Sequence, residues 1–590
     1  MSRKSFIAWF LQLIVLSGLL VWLYVVVDDH AALLSARAAE AEAESVELQQ
    51  VSEYYIAPIS ATPTPEPSPT ETPKPAVTSE TEFRPVAGAT AQVEPVITRQ
   101  SIMVNGETVS SYQADAAHKI DFGLPEEYTD AAGIITFRGN NFRNTAQYGL
   151  AVMTEQRFGD YWTVSTGGLN DNSGNYWGGS GWTGQPLAVE WPRSTKEIMN
   201  MYDWAIEKDG LVEVIYATLG GTVYFLDLET GEYTRDPLFL GFSFKGAGAL
   251  DPRGYPLLYV GAGLFNSSGE APRILVVSLI DGEVLYSTGQ YDSFAPRSSW
   301  SAFDGSALVD AETDQLIYPG ENGVIYFIKL NTDYSEREGT LSVNPTVTKF
   351  TFASSTADQY YYGMEDSAVM WRNYLMVADN GADFICLDTD TMEIVWRFDC
   401  LDDTNCTPLL ELDEDGHPWI YLSTSFHYGW RSYNTAVCPV WKIDAVTGEE
   451  VWRRDYECYS ESGLSGGVQG SFALGTGSLE GILYVAMARY PSAGNGQLLA
   501  LDTETGEEVW SVTSPTYSWC TPTCIYDQRG RGYVIYTSSI NGQMMLLDGL
   551  TGDMYDSFAF AATTEASPIV YNNTIVIGTR GQQIFGITLE

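Results

Sequence analysis

From about residue 133 to the end of the chain, short apolar runs alternate with clusters of Gly, Asp, Asn and Pro, and helical periodicity is scarce. That pattern predicts β-strands joined by tight turns. One stretch shows a whole unit. "GGVQGSFALG" predicts an inner strand, "GILYVAMA" a second, "GQLLALD" a third, "TETG" a turn and "EEVWSVT" an outer strand. Four antiparallel strands per unit make a propeller blade rather than a helical solenoid. The strings "LDPRGYPLLYVG", "VDAETDQLIYPG", "ELDEDGHPWIYLS", "YDQRGRGYVIYTS" and "YNNTIVIGT" read as first-to-second strand hairpins of other blades. "DEDG" at 413–416 has the acids of a calcium loop. Its counterparts carry Pro-Arg-Gly or Gln-Arg-Gly instead and no Glu stands at the twelfth position, so a hairpin turn is expected.

A second pattern repeats. "ALDTETGEEVW" (500–510), "KIDAVTGEEVW" (442–452) and "CLDTDTMEIVW" (386–396) keep Asp and Trp at one offset, and fainter copies bring the total to about eight, one every ~50 residues. In the unit, Asp388, Asp444 or Asp502 bonds turn amides, Thr447-Gly448 or Thr505-Gly506 completes the turn with glycine at positive φ, and Trp396, Trp452 or Trp510 opens the outer strand and lies on the next blade. Eight third strands are countable, but the last, "GQQIFGITL", runs into the C-terminus with no outer strand after it. The segment 158–168, "FGDYWTVSTGG", has the length and alternation to supply that strand and tie the ends of the ring together.

These Asp-x-x-Thr-Gly-x-x-x-Trp strings resemble the tryptophan-docking repeats of the pyrroloquinoline-quinone-type, or quinoprotein-like, eight-bladed propellers. The resemblance spans roughly 135–590, and "FRGNNFRNT" at 137–145 resembles the lead-in to the first blade of that family. It implies an all-β, eight-bladed propeller. The family holds quinone-dependent alcohol and sugar dehydrogenases as well as a non-catalytic branch that includes the assembly lipoprotein of the outer-membrane barrel machinery. The catalytic branch stacks its quinone between a Trp and a disulfide of adjacent cysteines and holds calcium through Glu, Asn and Asp. No Cys-Cys pair occurs here, so no catalytic, cofactor or metal residue is carried over and no cofactor is expected. The non-catalytic branch is the expectation, with a quinone- and calcium-dependent dehydrogenase as the alternative.

The N-terminus adds a location. Residues 6–27 are apolar except for Gln12 and Ser17, enough for a helix to span roughly 30 Å of hydrocarbon. Arg3 and Lys4 before it and Asp28 and Asp29 after it place the N-terminus in the cytoplasm and the remainder outside, as a single-pass plasma-membrane protein. The expected domains are 1–27, tail and anchor; 28–97, a juxtamembrane and Pro/Thr/Glu-rich linker; 98–132, a lead-in with a hairpin at Asn105-Gly106; and 133–590, the propeller.

A net charge of -45 repels phosphate backbones, so nucleic acid is excluded and cationic partners are favoured. Of the seven cysteines, Cys400 and Cys406 flank one interblade loop and Cys438 and Cys458 sit on neighbouring strands, so both pairs are candidate disulfides. Loops from each outer strand to the next inner strand gather around the channel. They bring together Trp177, Trp182, Phe242, Trp300, Asp304, Tyr361, Glu365, Asp366, Asp402, Asp403, Trp519 and Glu565, joined by His427, Tyr428 and Trp430 from a second-to-third strand loop. Aromatic rings beside carboxylates suit cations and sugars, so the expected function is a non-catalytic binding or scaffold module for a protein or cell-envelope glycan partner.

Overall fold

The computed structural model of the protein describes residues 84–88, 91–357, 361–426, 435–460 and 465–590. The apolar run at 6–27 and most of the linker lie outside these residues. No helix among the described residues is long and apolar enough to cross a membrane.

Eight four-stranded antiparallel blades follow one another along the described chain. The first comprises Leu187–Glu190, Val212–Ala217, Thr222–Asp227 and Leu238–Phe239. The sixth is the unit read in full from sequence: Ala473–Leu474, Ile482–Ala488, Gly496–Asp502 and Glu508–Ser514. The eighth takes Ile569–Tyr571, Thr574–Thr579 and Gln583–Leu589 from the C-terminus, and its outer strand is Phe158–Ser165, paired antiparallel with Ile584 opposite Val164. The expected closure is therefore present. The core is a set of apolar clusters in which facing sheets share their side chains. Leu410, Ile420 and Leu422 of the fifth blade, for example, pack with Met376, Phe384 and Trp396 of the fourth.

The docking repeat works as its residue types require. Asp502 Oδ1 accepts from the Thr505 amide at 2.8 Å and from its hydroxyl at 2.8 Å, and Gly506 follows at φ +70°. Trp452 of the fifth blade lies flat on that glycine, where a Cβ would stand 2.7 Å from the ring, and its Nε1 donates to Thr503 O at 3.0 Å. Trp396 repeats this on Gly448, with Nε1 donating to Ala445 O at 3.1 Å, and Trp510 on Gly552, with Nε1 donating to Gly549 O at 3.0 Å. A fourth docking ring was missed in the sequence because it stands on the closing strand, far in sequence from the third strand it pairs with and outside any Asp-x-x-Thr-Gly-x-x-x-Trp string. Trp162, on the closing strand, lies on Gly231 of the first blade and donates to Leu228 O at 2.9 Å.

Two N-terminal pieces are built into the ring. The hairpin at Asn105-Gly106 forms, and its first strand, Ile97–Val104, adds to Thr346–Ser354 of the third blade. The segment 135–146, which contains "FRGNNFRNT", plugs the channel. Its carbonyls cap inner-strand amides of four blades: Ile135 O takes Leu250 N at 2.7 Å, Asn141 O takes Met370 N at 3.0 Å, Phe142 O takes Leu410 N at 3.0 Å and Ala146 O takes Val570 N at 2.9 Å. Arg143 is buried beside them and donates to the backbone oxygens of Phe137, Ser306, Ala307 and Ala368 and to the Thr136 hydroxyl.

All seven cysteines are buried free thiols, so neither candidate disulfide is formed in this structure. Cys400 belongs to the cluster between the fourth and fifth blades and Cys406 to the next one, which separates them. Cys438 and Cys458 share one cluster and lie within hydrogen-bonding reach of each other. Mild oxidation of the folded protein, followed by non-reducing peptide mapping, is expected to join Cys438 to Cys458 and to leave Cys400 and Cys406 unjoined.

Candidate functional site

At six of the eight crossings from an outer strand to the next inner strand, a Ser or Thr is set at a common register, and neighbouring ones are hydrogen-bonded. Ser306 N donates to Ser367 Oγ at 2.8 Å, Ser367 N to Thr407 Oγ1 at 3.0 Å, Ser471 N to Thr521 Oγ1 at 3.0 Å and Thr521 N to Ser567 Oγ at 3.0 Å. This girdle fixes the residues two positions before it, Asp304, Glu365, Asn405, Gln469, Trp519 and Glu565, around the channel mouth. The expected aromatic face converges here. Trp182, Trp300, Tyr361, Glu365, Asp403 and Trp519 line one cavity of about 310 Å³, and Asp304 lines the smaller space adjoining it.

Other predicted residues stand elsewhere. Trp177 packs at a tilt against Trp182, ring centres 5.8 Å apart, from outside the cavity and donates through Nε1 to Asp171 at 3.0 Å. Asp366 is turned into the blade, where its Oδ2 accepts from the Ala378 amide at 3.1 Å, and Phe242 is buried under Arg273. Glu565 accepts from the Trp182 amide at 3.3 Å. His427, Tyr428 and Trp430 lie outside the described residues.

Sequence reasoning missed most of the polar lining, including Lys245, Arg297, Glu321, Asn380, Asn405 and Gln469. Glu321 and Asn380 come from second-to-third strand turns, and the recurring acid-Asn-Gly of Glu321-Asn322-Gly323 and Asp379-Asn380-Gly381 was the available signal. Lys245 Nζ is bound to Asp304 Oδ2 at 2.7 Å and lies 4.7 Å from the centre of the Trp182 ring. Arg297 approaches Glu321 at 3.6 Å and covers Trp300. Asn380 Nδ2 donates to Asp403 at 2.6 Å and to Glu365 at 3.3 Å.

Asp304, Glu321, Glu365 and Asp403 thus face Lys245 and Arg297, four acids against two cations. Crowding shows in the acidities. Burial, with the neighbouring Glu365 charge, pushes the Glu321 carboxyl up to about 8, and burial raises Asp304 to about 6 in spite of Lys245. Burial and the Asp403 charge raise Glu365 as well. Burial works against the Lys245 charge, but the surrounding acids more than offset it and hold the ammonium above its usual range.

An acid raised in the folded state binds its proton more tightly there than in the unfolded chain. Its contribution to stability is therefore full below the unfolded value of 4.5 and is lost as pH rises through about 8. Thermal melts are expected to fall across that window, and Glu321→Gln, which keeps the shape and removes the titration, is expected to flatten the decline. An unchanged slope in the variant would assign it to other groups.

Fold and site together define the class: an eight-bladed β-propeller, closed by an N-terminal strand, with an acidic, aromatic-walled cavity at its channel mouth. The family described as outer membrane protein assembly factor BamB matches over residues 439–587, from the third strand of the fifth blade to the third strand of the eighth. Among solved structures, the quinohemoprotein alcohol dehydrogenase ADHIIG of Pseudomonas putida HK5 is similar with a TM-score of 0.53 and 12% identity, over 81% of this chain and 83% of that one. The quinohemoprotein alcohol dehydrogenase of Comamonas testosteroni gives 0.51 and 12%, over 80% and 83%. BamB of Moraxella catarrhalis gives 0.42 and 14%, over 64% and 92%. Such identities show the fold alone. No curated protein matches the sequence.

Proposed function

We propose that the protein is a non-catalytic extracytoplasmic binding module, held to the membrane by its N-terminal apolar run, whose channel mouth receives a cationic side chain of a partner protein. The observation that carries this reading is the excess of carboxyl groups around an aromatic-walled cavity. A guanidinium or ammonium entering between Trp300, Tyr361 and Trp519 gains cation–π attraction and offsets the burial and like-charge crowding that raise the Glu321 and Glu365 carboxyls. The match to the BamB family over the last blades supports a scaffold role.

The dehydrogenase alternative asks the same cavity to hold a flat quinone and a calcium ion. Its residues do not fit that pair. The face of Trp182 is covered by the Lys245 ammonium, Asp304 is engaged with that ammonium, and a carboxyl whose acidity burial has weakened, as at Glu321, favours a proton over a hard cation. Among the described residues no group of three His, Cys, Asp or Glu side chains is placed to hold a metal.

A photo-crosslinking residue in place of Trp300, which is 39% exposed at the rim, is expected to capture a discrete protein in intact cells. Capture of a glycan would move the reading to the cell-envelope polymer. No rim-dependent product would contradict it.

A further inference from the structure

A second site lies at the plug. Among the described residues, hydrogen bonds join the plug segment to the first five blades and to the seventh and eighth, but none joins it to the sixth. In that gap is a cavity of about 100 Å³, lined by Arg138, Asn144 and Thr145 of the plug and by Thr476, Cys524 and Tyr526 of the sixth and seventh blades. Arg138 is 1% exposed, and its side chain makes one long hydrogen bond, to Thr523 Oγ1 at 3.4 Å, while its Nε has no partner. Arg143, five residues away and equally buried, has five oxygen acceptors. The difference is a buried guanidinium left without its complement.

Burial lowers the Arg138 guanidinium only to about 10, so it stays charged at neutral pH, and the ionisable group that acts on it is the Cys524 thiol, which burial raises to about 12 and keeps neutral. Among the described residues no carboxylate balances the charge. An unpaired buried ion costs several kcal/mol, and an arginine does not escape the cost by losing its proton. The remaining lining supplies donors. Asn144 accepts from Asn140 through Oδ1, which leaves its Nδ2 as a donor, and Tyr526 Oη accepts from the Thr476 amide at 2.6 Å, which leaves its own proton to give.

We propose that this cavity binds one small oxyanion, of the phosphate or sulfate class, which pairs with Arg138, accepts from Asn144 and Tyr526, and fills the gap between the plug and the sixth and seventh blades. The planar guanidinium fork matches two oxygens of such an anion better than a spherical halide.

Isothermal titration of the full-length protein with sodium phosphate, and separately with sodium sulfate, against sodium chloride at matched ionic strength tests this. Saturable binding of one oxyanion per chain is expected, with no saturable heat from chloride. Arg138→Gln is expected to weaken it about tenfold or more. Tyr526→Phe, which keeps the charge and the ring, is expected to weaken it several-fold and keeps the test open should the arginine variant not fold. Binding unchanged in both variants, an equal response to chloride, or no saturable binding would each overturn the proposal. None of these results depends on the channel-mouth site.

Discussion

Trp452→Ala is expected to lower the unfolding free energy by about 3 to 5 kcal/mol, the usual range for emptying a buried large aromatic site. The ring is 7% exposed, rests on Gly506 and holds Thr503 O, so its loss opens a gap between two blades and leaves that carbonyl without its indole donor. Gly506→Val is the converse. It keeps the tryptophan but places a branched side chain at φ +70° with its Cβ 2.7 Å from the ring, and a comparable loss is expected. Chemical denaturation followed by tryptophan fluorescence measures both. A loss below about 1 kcal/mol in each would mean that the docking repeat does not hold the blades together.

The second large effect concerns closure. A chain beginning at residue 167 loses Phe158–Ser165, the plug and Trp162 together. The eighth blade then presents Gln583–Leu589 as an open edge, and the channel amides of Leu250, Met370, Leu410 and Val570 lose their caps. Unpaired strand edges template association, so this fragment is expected to aggregate instead of running as a monodisperse species in size-exclusion chromatography. A monodisperse, cooperatively melting fragment would show that the N-terminal strand decorates the ring without closing it.

How much of this was legible in the sequence depended on how local each signal is. The blades were readable because turn chemistry and strand alternation repeat within a short window, as in Asp502, Thr505, Gly506 and Trp510. The closing strand was readable by subtraction, since the last third strand has no outer strand after it. Trp162 escaped because the third strand it pairs with, Gln583–Leu589, stands at the other end of the sequence, so no Asp-x-x-Thr-Gly turn precedes it.

At the channel mouth, the crossing loops announced Trp182, Trp300, Glu365 and Trp519 by position, and the ring then brought them together. Lys245 and Arg297 were passed over because a search for an acidic, aromatic face gives single cations no weight, although they neutralise half of the acids there. Asp366 shows the reverse error. It neighbours Glu365 in sequence, but successive residues of an extended segment point to opposite sides, and Asp366 turns into the blade. Arg138 and Arg143 look alike in "FRGNNFRNT", and only the packed plug reveals that one is fully paired and the other is not.

The central claim is that the channel mouth is built to receive a cation. Its most direct test is a fluorescence titration of the full-length protein with a short Arg/Lys-rich peptide and with an acidic peptide of equal length, at pH 6 and at pH 8. Bound cations favour the ionised carboxyls, so the account predicts saturable binding of the basic peptide alone, tighter at pH 8 than at pH 6 because Glu321 loses its proton near 8, and weakened in Trp300→Ala and Glu365→Gln without a change in melting behaviour for the tryptophan variant. Equal responses to the two peptides, or basic-peptide binding that ignores both pH and these substitutions, would contradict it.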